Sequence, residues 1–217
     1  MELTQHQMRV LGCLIEKQLA TPEYYPLTLS ALVNACNQKS NRNPVLAMTE
    51  NDALDAIQVL SQHNLAREKQ MPHARVAKYE HKLSDTLTKQ YDFSQKELAI
   101  LSELMLRGPQ TAGELRSRCS RMYSFVSLDE VDETLQALAE QKNQPYVKAL
   151  PRQPGRREIR FTQLFGEAGA ESSVASGATP FAIGSTESTD LEELRNEVAE
   201  LRAEVNELKQ LVETLIN

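Results

Sequence analysis

The sequence predicts an α+β protein that is mainly α-helical and carries small β-hairpins. Two observations predict this class. Between residues 93 and 138, apolar residues recur at helical spacing in three segments, and each segment follows Ser or Thr with Glu three positions later. From residue 146 the apolar period changes to two, and a turn rich in Pro and Gly separates two short runs. We therefore expect three helices followed by a hairpin.

The three predicted helices begin at Ser94, Thr111 and Ser127, where the local pattern is that of a capping box. Residues 146–150 and 158–162 form the predicted hairpin. Three helices followed by such a hairpin make a winged helix, a helix-turn-helix with a wing. The residues predicted to face its core are Phe93, Leu98, Ile100, Leu101, Leu104, Met105, Leu115, Cys119, Leu128, Val131, Leu135 and Leu138.

The first part of the chain repeats this pattern. Leu3 and Thr4 play the roles of Phe93 and Ser94 at an offset of 90 residues, and the first helices stay in register at that offset. The second helices align at an offset of 83 and the third helices at 78, so the first copy has two longer loops. The matching residues of the second and third helices are Thr28, Leu32, Cys36, Thr49, Ala53, Ile57 and Leu60.

The repeat divides the chain into four predicted segments. Residues 1–90 form the first winged-helix domain and residues 91–165 the second. Residues 166–188 are rich in Gly, Ala, Ser and Thr, which is typical of a flexible linker. Residues 189–217 follow a seven-residue repeat and are predicted to form a coiled-coil helix.

The heptads predict a parallel homodimer. Val occupies three of the four first core positions and Leu all four second positions, a pattern typical of two parallel strands. In that orientation Glu197 faces Arg202 and Glu204 faces Lys209 of the other copy. A helix that packs back on its own body is the second interpretation, and strict heptad spacing disfavours it. The predicted dimerisation residues are Leu191, Leu194, Val198, Leu201, Val205, Leu208, Val212 and Leu215.

Net charge does not argue against nucleic acid as a partner. The chain carries −6, but residues 166–217 hold 11 acidic and 3 basic side chains, so residues 1–165 are slightly basic. The N-terminus shows no basic region followed by an apolar core, and no apolar run approaches the length of a membrane span. We therefore expect a cytoplasmic location and no membrane partner.

Enzyme and metal motifs are absent from the sequence. It has no P-loop, GxGxxG, nucleophile elbow or HExxH. Cys13, Cys36 and Cys119 lie far apart on predicted helices, and we interpret each as a small buried hydrophobe. Metal ligation and a reactive thiol are the alternatives. We predict a protein that is not an enzyme and needs no cofactor or metal.

The third helices carry acidic first turns, which bears on DNA binding. The third helix of a winged helix usually enters the major groove. Acids there gain about 0.3–1 kcal/mol each from the helix dipole, but repulsion from DNA phosphates would outweigh that gain. We therefore do not predict base reading by either third helix. The acids concerned are Glu50, Asp52, Asp55, Asp129, Glu130, Asp132 and Glu133.

Basic residues gather instead in the wings, near the second helix of the second domain, and in the loop at residues 38–45. Arginine on a hairpin suits phosphate or minor-groove contact, and a solvated hairpin is the alternative. The loop either holds a phosphate or is a solvated connection. The predicted nucleic-acid-binding residues are Lys39, Arg42, Arg67, Lys69, Arg75, Lys78, Arg116, Arg118, Arg121, Arg152, Arg156, Arg157 and Arg160.

Four motifs carry a resemblance to a known family. They read NACNQKSNRNPV at residues 34–45, LIEK at 14–17, RGPQT at 107–111 and LPRQPG at 150–155. Together they resemble the YceH family over about residues 1–165. The resemblance implies a bacterial protein with a tandem winged-helix fold, and it implies no activity.

Two classes of function follow from the sequence. The first is a DNA-associated regulator that contacts phosphates mainly through its basic wings, with weak sequence dependence. The second is a dimeric adaptor whose winged helices bind an unknown protein without binding DNA. A basic stripe that is continuous across both wings would favour DNA, and separated patches would favour the adaptor.

Overall fold

The described part of the structure, a computed structural model, comprises residues 2–69, 76–84, 91–141, 144–152 and 158–166. All of these residues belong to one compact unit, Met1–Ser173. We call residues 2–84 the first half and residues 91–166 the second half. The predicted coiled coil, and the predicted linker beyond Gly166, lie outside the described residues.

Both halves show the same order of elements, and the described chain is α+β as the sequence predicts. The first half contains α1 Gln5–Ala20, β1 Leu27–Thr28, α2 Leu29–Cys36, α3 Glu50–Gln62, β2 Ala66–Lys69 and β3 Lys78–His81. The second half contains α4 Gln95–Arg107, β4 Gln110–Thr111, α5 Ala112–Arg118, α6 Leu128–Ala139, β5 Val147–Ala149 and β6 Arg160–Gln163. Short 3-10 helices lie at Pro22–Tyr24 and Cys119–Arg121.

Each half also has a three-stranded antiparallel sheet with the same strand order. The orders are β1-β3-β2 and β4-β6-β5. Leu27 pairs with Tyr79 in the first sheet, and Gln110 pairs with Phe161 in the second. The sequence predicted the two hairpins but not β1 and β4, because strands of two residues are too short to show an alternating pattern.

Local hydrogen bonds begin the helices where the sequence predicts them. The Thr4 amide donates to Gln7 Oε1 over 2.9 Å, and the Ser94 amide donates to Glu97 Oε2 over 2.8 Å. Thr111 and Glu114 also form a capping box. These bonds satisfy amides that have no partner within the helix, so three short motifs determine where α1, α4 and α5 begin.

The repeat in the sequence is a repeat of core positions. The matched core residues in the three pairs of helices are buried in both copies, except that Met8, the equivalent of Leu98, is only partly buried. Leu128 corrects the prediction, because it is 45% exposed rather than part of the inner stripe of α6. It is the first residue of that helix, where the stripe has no further turn to pack against.

Helices α1 and α4 pack against each other and join the halves. Ser102 Oγ donates to the Gly12 carbonyl over 3.1 Å, and these two residues are equivalent in the repeat. A Cβ on Gly12 would lie 3.0 Å from the Leu106 side chain, so glycine permits the close approach. Contact between equivalent residues indicates an approximate two-fold axis at this crossing.

The ends of the two halves follow the same approximate symmetry. The Phe93 amide donates to the Leu83 carbonyl over 3.2 Å, and the Leu3 amide donates to the Phe165 carbonyl over 2.8 Å. Leu3 and Phe93 are equivalent in the repeat. The first residues of each half are therefore hydrogen-bonded to the segment that follows the last strand of the other half. The halves therefore share one continuous core.

The loop at residues 37–48 is fixed at both ends by hydrogen bonds. Arg9, which is 2% exposed, donates to the Cys36 carbonyl over 2.9 Å and to the Pro44 carbonyl over 2.5 Å. Asn37 and Met48 exchange two hydrogen bonds, of 2.8 and 2.7 Å. These bonds give the loop a defined conformation, although most of its residues remain exposed to solvent.

Arg42 anchors the middle of this loop in the interior. Its guanidinium donates to Glu16 over 2.6 and 3.2 Å and to the Ala35 carbonyl over 3.0 Å. Burial disfavours the charged form of Glu16, but the hydrogen bonds and charge of Arg42 hold its pKa below the usual value. The sequence placed Arg42 on a phosphate-facing surface, whereas its guanidinium is fully buried.

The same loop also contacts the second half. The Asn43 amide donates to the Leu106 carbonyl over 2.9 Å, and Arg107 donates to Asn41 Oδ1 over 2.8 Å. Arg42 therefore holds a loop that bridges the two halves.

We expect the substitution Arg42→Met to lower the free energy of unfolding by about 3–5 kcal/mol, because it leaves Glu16 buried without its main partner. The double variant Glu16→Gln/Arg42→Met should recover part of this loss. Urea denaturation measures both. Lys39→Met, in the same loop but exposed, is the control and should change stability by less than about 0.5 kcal/mol. Equal stability of Arg42→Met and the control would contradict the role given to Arg42.

Candidate phosphate-binding surface and the cleft between the halves

Two of the predicted arginines of the second half meet on one carboxylate. Arg118 lies 3.3 Å from Glu114 Oε1, and Arg160 lies 3.4 Å from Glu114 Oε2. Arg118 also donates to Gln110 Oε1 over 2.7 Å. Arg160 donates to the Pro109 carbonyl over 2.9 Å. The end of α5 and the strand β6 of the hairpin therefore present adjacent cations.

Two further arginines extend this group along α5 and the turn after it. Arg116 is exposed and donates to the Val126 carbonyl over 3.0 Å. Arg121, also exposed, forms no ion pair or hydrogen bond with the described residues. We call Arg116, Arg118, Arg121 and Arg160 the second-half cationic surface.

The hairpin of the first half is more nearly neutral. Arg67 Nε donates to Glu80 Oε1 over 2.6 Å, and Lys69 Nζ donates to Glu80 Oε2 over 2.9 Å. Burial opposes ionisation of Glu80, but these two hydrogen bonds lower its pKa below the usual value. Lys78 on the facing strand is half-buried. Two cations here share one buried carboxylate, which reduces the charge that this hairpin offers to a phosphate.

The remaining predicted cations divide between described and undescribed parts of the chain. Arg152 is exposed after β5, and Lys39 is exposed in the loop between α2 and α3. Arg75, Arg156 and Arg157 lie outside the described residues, as do all the predicted dimerisation residues.

Five of the seven acidic residues predicted in the first turns of the third helices are exposed, and Asp52 and Glu130 are half-buried. Glu50 and Asp55 are exposed on α3, and Asp129, Asp132 and Glu133 are exposed on α6. These positions would meet the phosphates of a duplex that approached the first turns of α3 or α6. That neither helix reads bases stays a prediction.

A cleft of about 510 Å³ lies between the halves. The first half contributes the end of α1 and the loop after α2, and the second half contributes α4, the end of α5 and the 3-10 helix after it. Four cations and two carboxylates line it. The lining residues are Glu16, Lys17, Ala20, Thr21, Gln38, Lys39, Ser40, Asn41, Glu103, Arg118, Arg121 and Met122.

Glu103 on α4 is the unusual member of this lining. Its side chain is 5% exposed, and its nearest cation is Arg107, 3.8 Å away. Its Oε2 atom accepts no hydrogen bond from the described residues. Burial raises the pKa of Glu103 to about 6, and the charge of Arg107 opposes this rise only in part.

Sequence reasoning found three cations of the cleft, Lys39, Arg118 and Arg121, but missed its two carboxylates. The sequence contains one signal for Glu103. The equivalent position in the first half is Cys13, which is fully buried, so an acid stands where the repeat places a core residue.

A second, shallower groove lies beside α5 and the start of α6. It measures about 380 Å³, and its lining includes Arg116, Phe125 and Leu128. Val126, next to it, is 83% exposed. This is an apolar area at the edge of the cationic surface.

Several expectations concern sites other than phosphate contacts. Cys13, Cys36 and Cys119 are buried with free thiols, which confirms that they occupy core positions. Within the described ranges, no group of three potential ligands could hold a metal ion. Among the same residues, no helix has the length and apolar character to cross a membrane.

We expect Glu103→Gln to stabilise the protein at alkaline pH. Because burial raises the pKa of Glu103 from 4.5 to about 6, the folded state binds this proton more tightly than the unfolded state. The stability that Glu103 contributes is therefore full below pH 4.5 and lost as pH rises through about 6. Gln mimics the protonated form, so the variant should gain up to about 2 kcal/mol at pH 8 and little at pH 4.

Urea unfolding of both proteins at pH 4 and pH 8 measures this difference. Glu133→Gln, an exposed acid on α6, is the control and should show no such gain at pH 8. A Glu103→Gln effect that is the same at both pH values would contradict the prediction.

Known proteins with similar sequences identify the family. A family model described as "Protein of unknown function, DUF480" matches residues 3–156. The chain is 42% identical over 218 residues to a UPF0502 protein of Aliivibrio fischeri, covering 99% of this chain and 98% of that relative. It is 53% identical over 162 residues to a UPF0502 protein of Geobacter sulfurreducens, covering 75% and 71%. A UPF0502 protein of Enterobacter sp. is 46% identical over 180 residues, covering 82% and 83%. These matches confirm the resemblance to YceH, and the chain belongs to the UPF0502 (DUF480) family.

Proposed function

We propose that this chain is a non-enzymatic, nucleic-acid-associated protein that binds phosphates mainly through its second half. In this proposal each half is a winged helix. Two features support that assignment. Each half has three helices followed by an antiparallel hairpin, and a short strand just before the second helix pairs with that hairpin. The descriptions of the matching family and relatives name no enzymatic activity.

The arrangement around Glu114 carries this proposal. It brings Arg118 of α5 beside Arg160 of the hairpin, so that a helix end and a wing present cations together. Arg116 and Arg121 add two exposed charges, one near the end of α5 and one just after it. Arginine's planar donors suit phosphate oxygens, and such contacts position a protein without reading sequence. We therefore expect weak sequence dependence.

The two wings are proposed to contribute unequally. In each half two cations share one carboxylate, Arg67 and Lys69 on Glu80 and Arg118 and Arg160 on Glu114. The second half also has Arg116 and Arg121, which are exposed and form no ion pair with the described residues, so it offers more unpaired charge. The first wing would then support binding that the second half initiates, rather than contribute an equal share.

The C-terminal heptads are proposed to pair two copies of the chain in parallel. Linking two weak phosphate-binding bodies raises the effective concentration of the second at the nucleic acid. A dimer would therefore bind longer duplexes more tightly than either body alone.

A protein-binding adaptor is the second candidate function. The observation that favours it is the apolar area formed by Val126, 83% exposed, and Leu128, 45% exposed, beside the groove at α5. Exposed acids on α6 lie in the same region of the chain. An adaptor of this kind would bind its partner without nucleic acid.

Binding to a mixed-sequence duplex of about 25 base pairs should be steeply salt-dependent. We expect Arg116→Gln/Arg152→Gln to flatten the slope of log affinity against log salt by up to about 2, because each phosphate that a cation neutralises contributes close to one to that slope. Fluorescence anisotropy between about 50 and 200 mM salt measures the slope. Neither residue lines the cleft.

The control for this titration is Lys82→Gln/Lys96→Gln, which removes the same charge from two half-buried lysines outside the proposed surface. Its slope should match that of the unmodified chain. If the arginine variant keeps both slope and affinity, the second half is not the binding surface. No binding at about 50 mM salt would favour the adaptor.

The homodimer is tested on the full chain. Leu201→Glu/Leu208→Glu places charges at two heptad core positions and should yield monomers at about 100 μM, whereas the unmodified chain dimerises. Asn196→Glu/Ala203→Glu adds the same charges on the outer heptad positions and should still dimerise. Light scattering over a concentration series distinguishes these states. An unmodified chain that stays monomeric at about 100 μM would contradict the prediction.

A further inference from the structure

We propose that the cleft between the halves binds a small phosphorylated metabolite that carries hydroxyl groups, such as a sugar phosphate or a nucleoside monophosphate. This proposal does not depend on nucleic-acid binding. It is based on three features of the cleft: its size, two cations that no described residue pairs with, and its buried carboxylate.

The volume of about 510 Å³ lies in the range of small-molecule sites. Most of its lining is polar or charged, which suits a highly polar ligand. Both halves contribute side chains, so a bound ligand would contact α1 and the loop after α2 on one side and α4 on the other.

The four cations of the cleft differ in whether they already form ion pairs or hydrogen bonds. Lys17 lies 3.3 Å from Glu16, and Arg118 is engaged by Glu114 and Gln110. Lys39 and Arg121 form no ion pair or hydrogen bond with the described residues, although both line the cleft. Two positive charges that have no partner in the described part of the chain match the charge of a phosphate monoester near neutral pH.

Glu103 determines what else the ligand must carry. A buried carboxylate that lacks a hydrogen-bond donor is costly, and here Oε2 has no donor among the described residues. A second anion beside it would be repelled, but a hydroxyl group would satisfy it. The cleft therefore favours a phosphate joined to hydroxyl groups over a bare phosphate.

The site explains why an acid replaces a core residue on α4. Glu103 stands at the repeat position of the fully buried Cys13, so an apolar side chain is compatible with this place in the fold. A ligand that donates a hydrogen bond to Glu103 would offset the cost of burying the acid. Buried ionisable groups of this kind are often found at functional sites.

Isothermal titration calorimetry of the full chain tests the proposal with ribose 5-phosphate, AMP, inorganic phosphate and ribose. We expect ribose 5-phosphate or AMP to bind at least about tenfold more tightly than inorganic phosphate, the size expected for added hydrogen bonds to a charged group, and ribose alone not to bind. If neither sugar phosphate binds saturably up to about 5 mM, the proposal is wrong.

Two variants test the roles of Glu103 in binding the hydroxyl groups and of Arg121 in binding the phosphate. Glu103→Met should remove the preference over inorganic phosphate, about tenfold, and leave inorganic phosphate binding unchanged. Arg121→Gln should weaken both ligands by a similar factor. The control is Lys148→Gln, an exposed lysine of β5 outside the cleft, which should change neither. The proposal would be overturned if Glu103→Met still preferred the sugar phosphate over inorganic phosphate. It would also be overturned if Lys148→Gln weakened binding as much as Arg121→Gln does.

The same phosphate chemistry occurs at the end of a nucleic acid, and a 5′-phosphorylated tetranucleotide distinguishes the two sources. Tighter binding of AMP or ribose 5-phosphate supports a free metabolite. Tighter binding of the tetranucleotide would overturn that assignment in favour of a nucleic-acid end. Duplex binding is measured separately with Arg116→Gln/Arg152→Gln, so its failure leaves this titration interpretable.

Discussion

The guanidinium of Arg42 lies between the Glu16 carboxylate and the Ala35 carbonyl, and much of the molecule depends on this buried contact. It draws the loop after α2 down onto α1. The neighbouring residues Asn41 and Asn43 then reach α4, while Lys39 lines the cleft. Because an unpaired buried charge is expensive, Glu16 and Arg42 require each other, and their pairing selects one conformation of the loop.

The two halves have the same fold and core positions but different surface charges. Core positions match across the repeat, and equivalent residues Gly12 and Ser102 meet where α1 packs on α4. The cationic residues do not repeat. At the offset of 83 residues that aligns the second helices, Arg116, Arg118 and Arg121 correspond to Val33, Ala35 and Gln38. Core packing restricts which side chains fit, whereas exposed positions can change with little effect on stability, so a cluster of arginines can be present in one half without an equivalent in the other.

Pairing between charges decides how much of the basic composition is available to a ligand. Arg67 and Lys69 share Glu80, and Arg42 is consumed by Glu16. Lys39 and Arg121 keep their charge unpaired among the described residues, and both line the cleft. Counting basic residues along a hairpin therefore overstates its attraction for phosphate, because a nearby carboxylate cancels charge that the count includes.

The sequence by itself determined the starts of helices and most core positions, because each depends on residues within about one or two helical turns, and the repeat follows from matching these local patterns between the two copies. Thr4 with Gln7 and Ser94 with Glu97 are read directly from spacing. The tertiary structure alone decided the burial of Arg42, the exposure of Leu128 and the pairing of the two-residue strands β1 and β4. It also brought Glu103 to the same cleft as Lys39. Those outcomes depend on contacts between residues that are tens of positions apart, or on the absence of such a contact. No local sequence pattern specifies which distant residues come into contact.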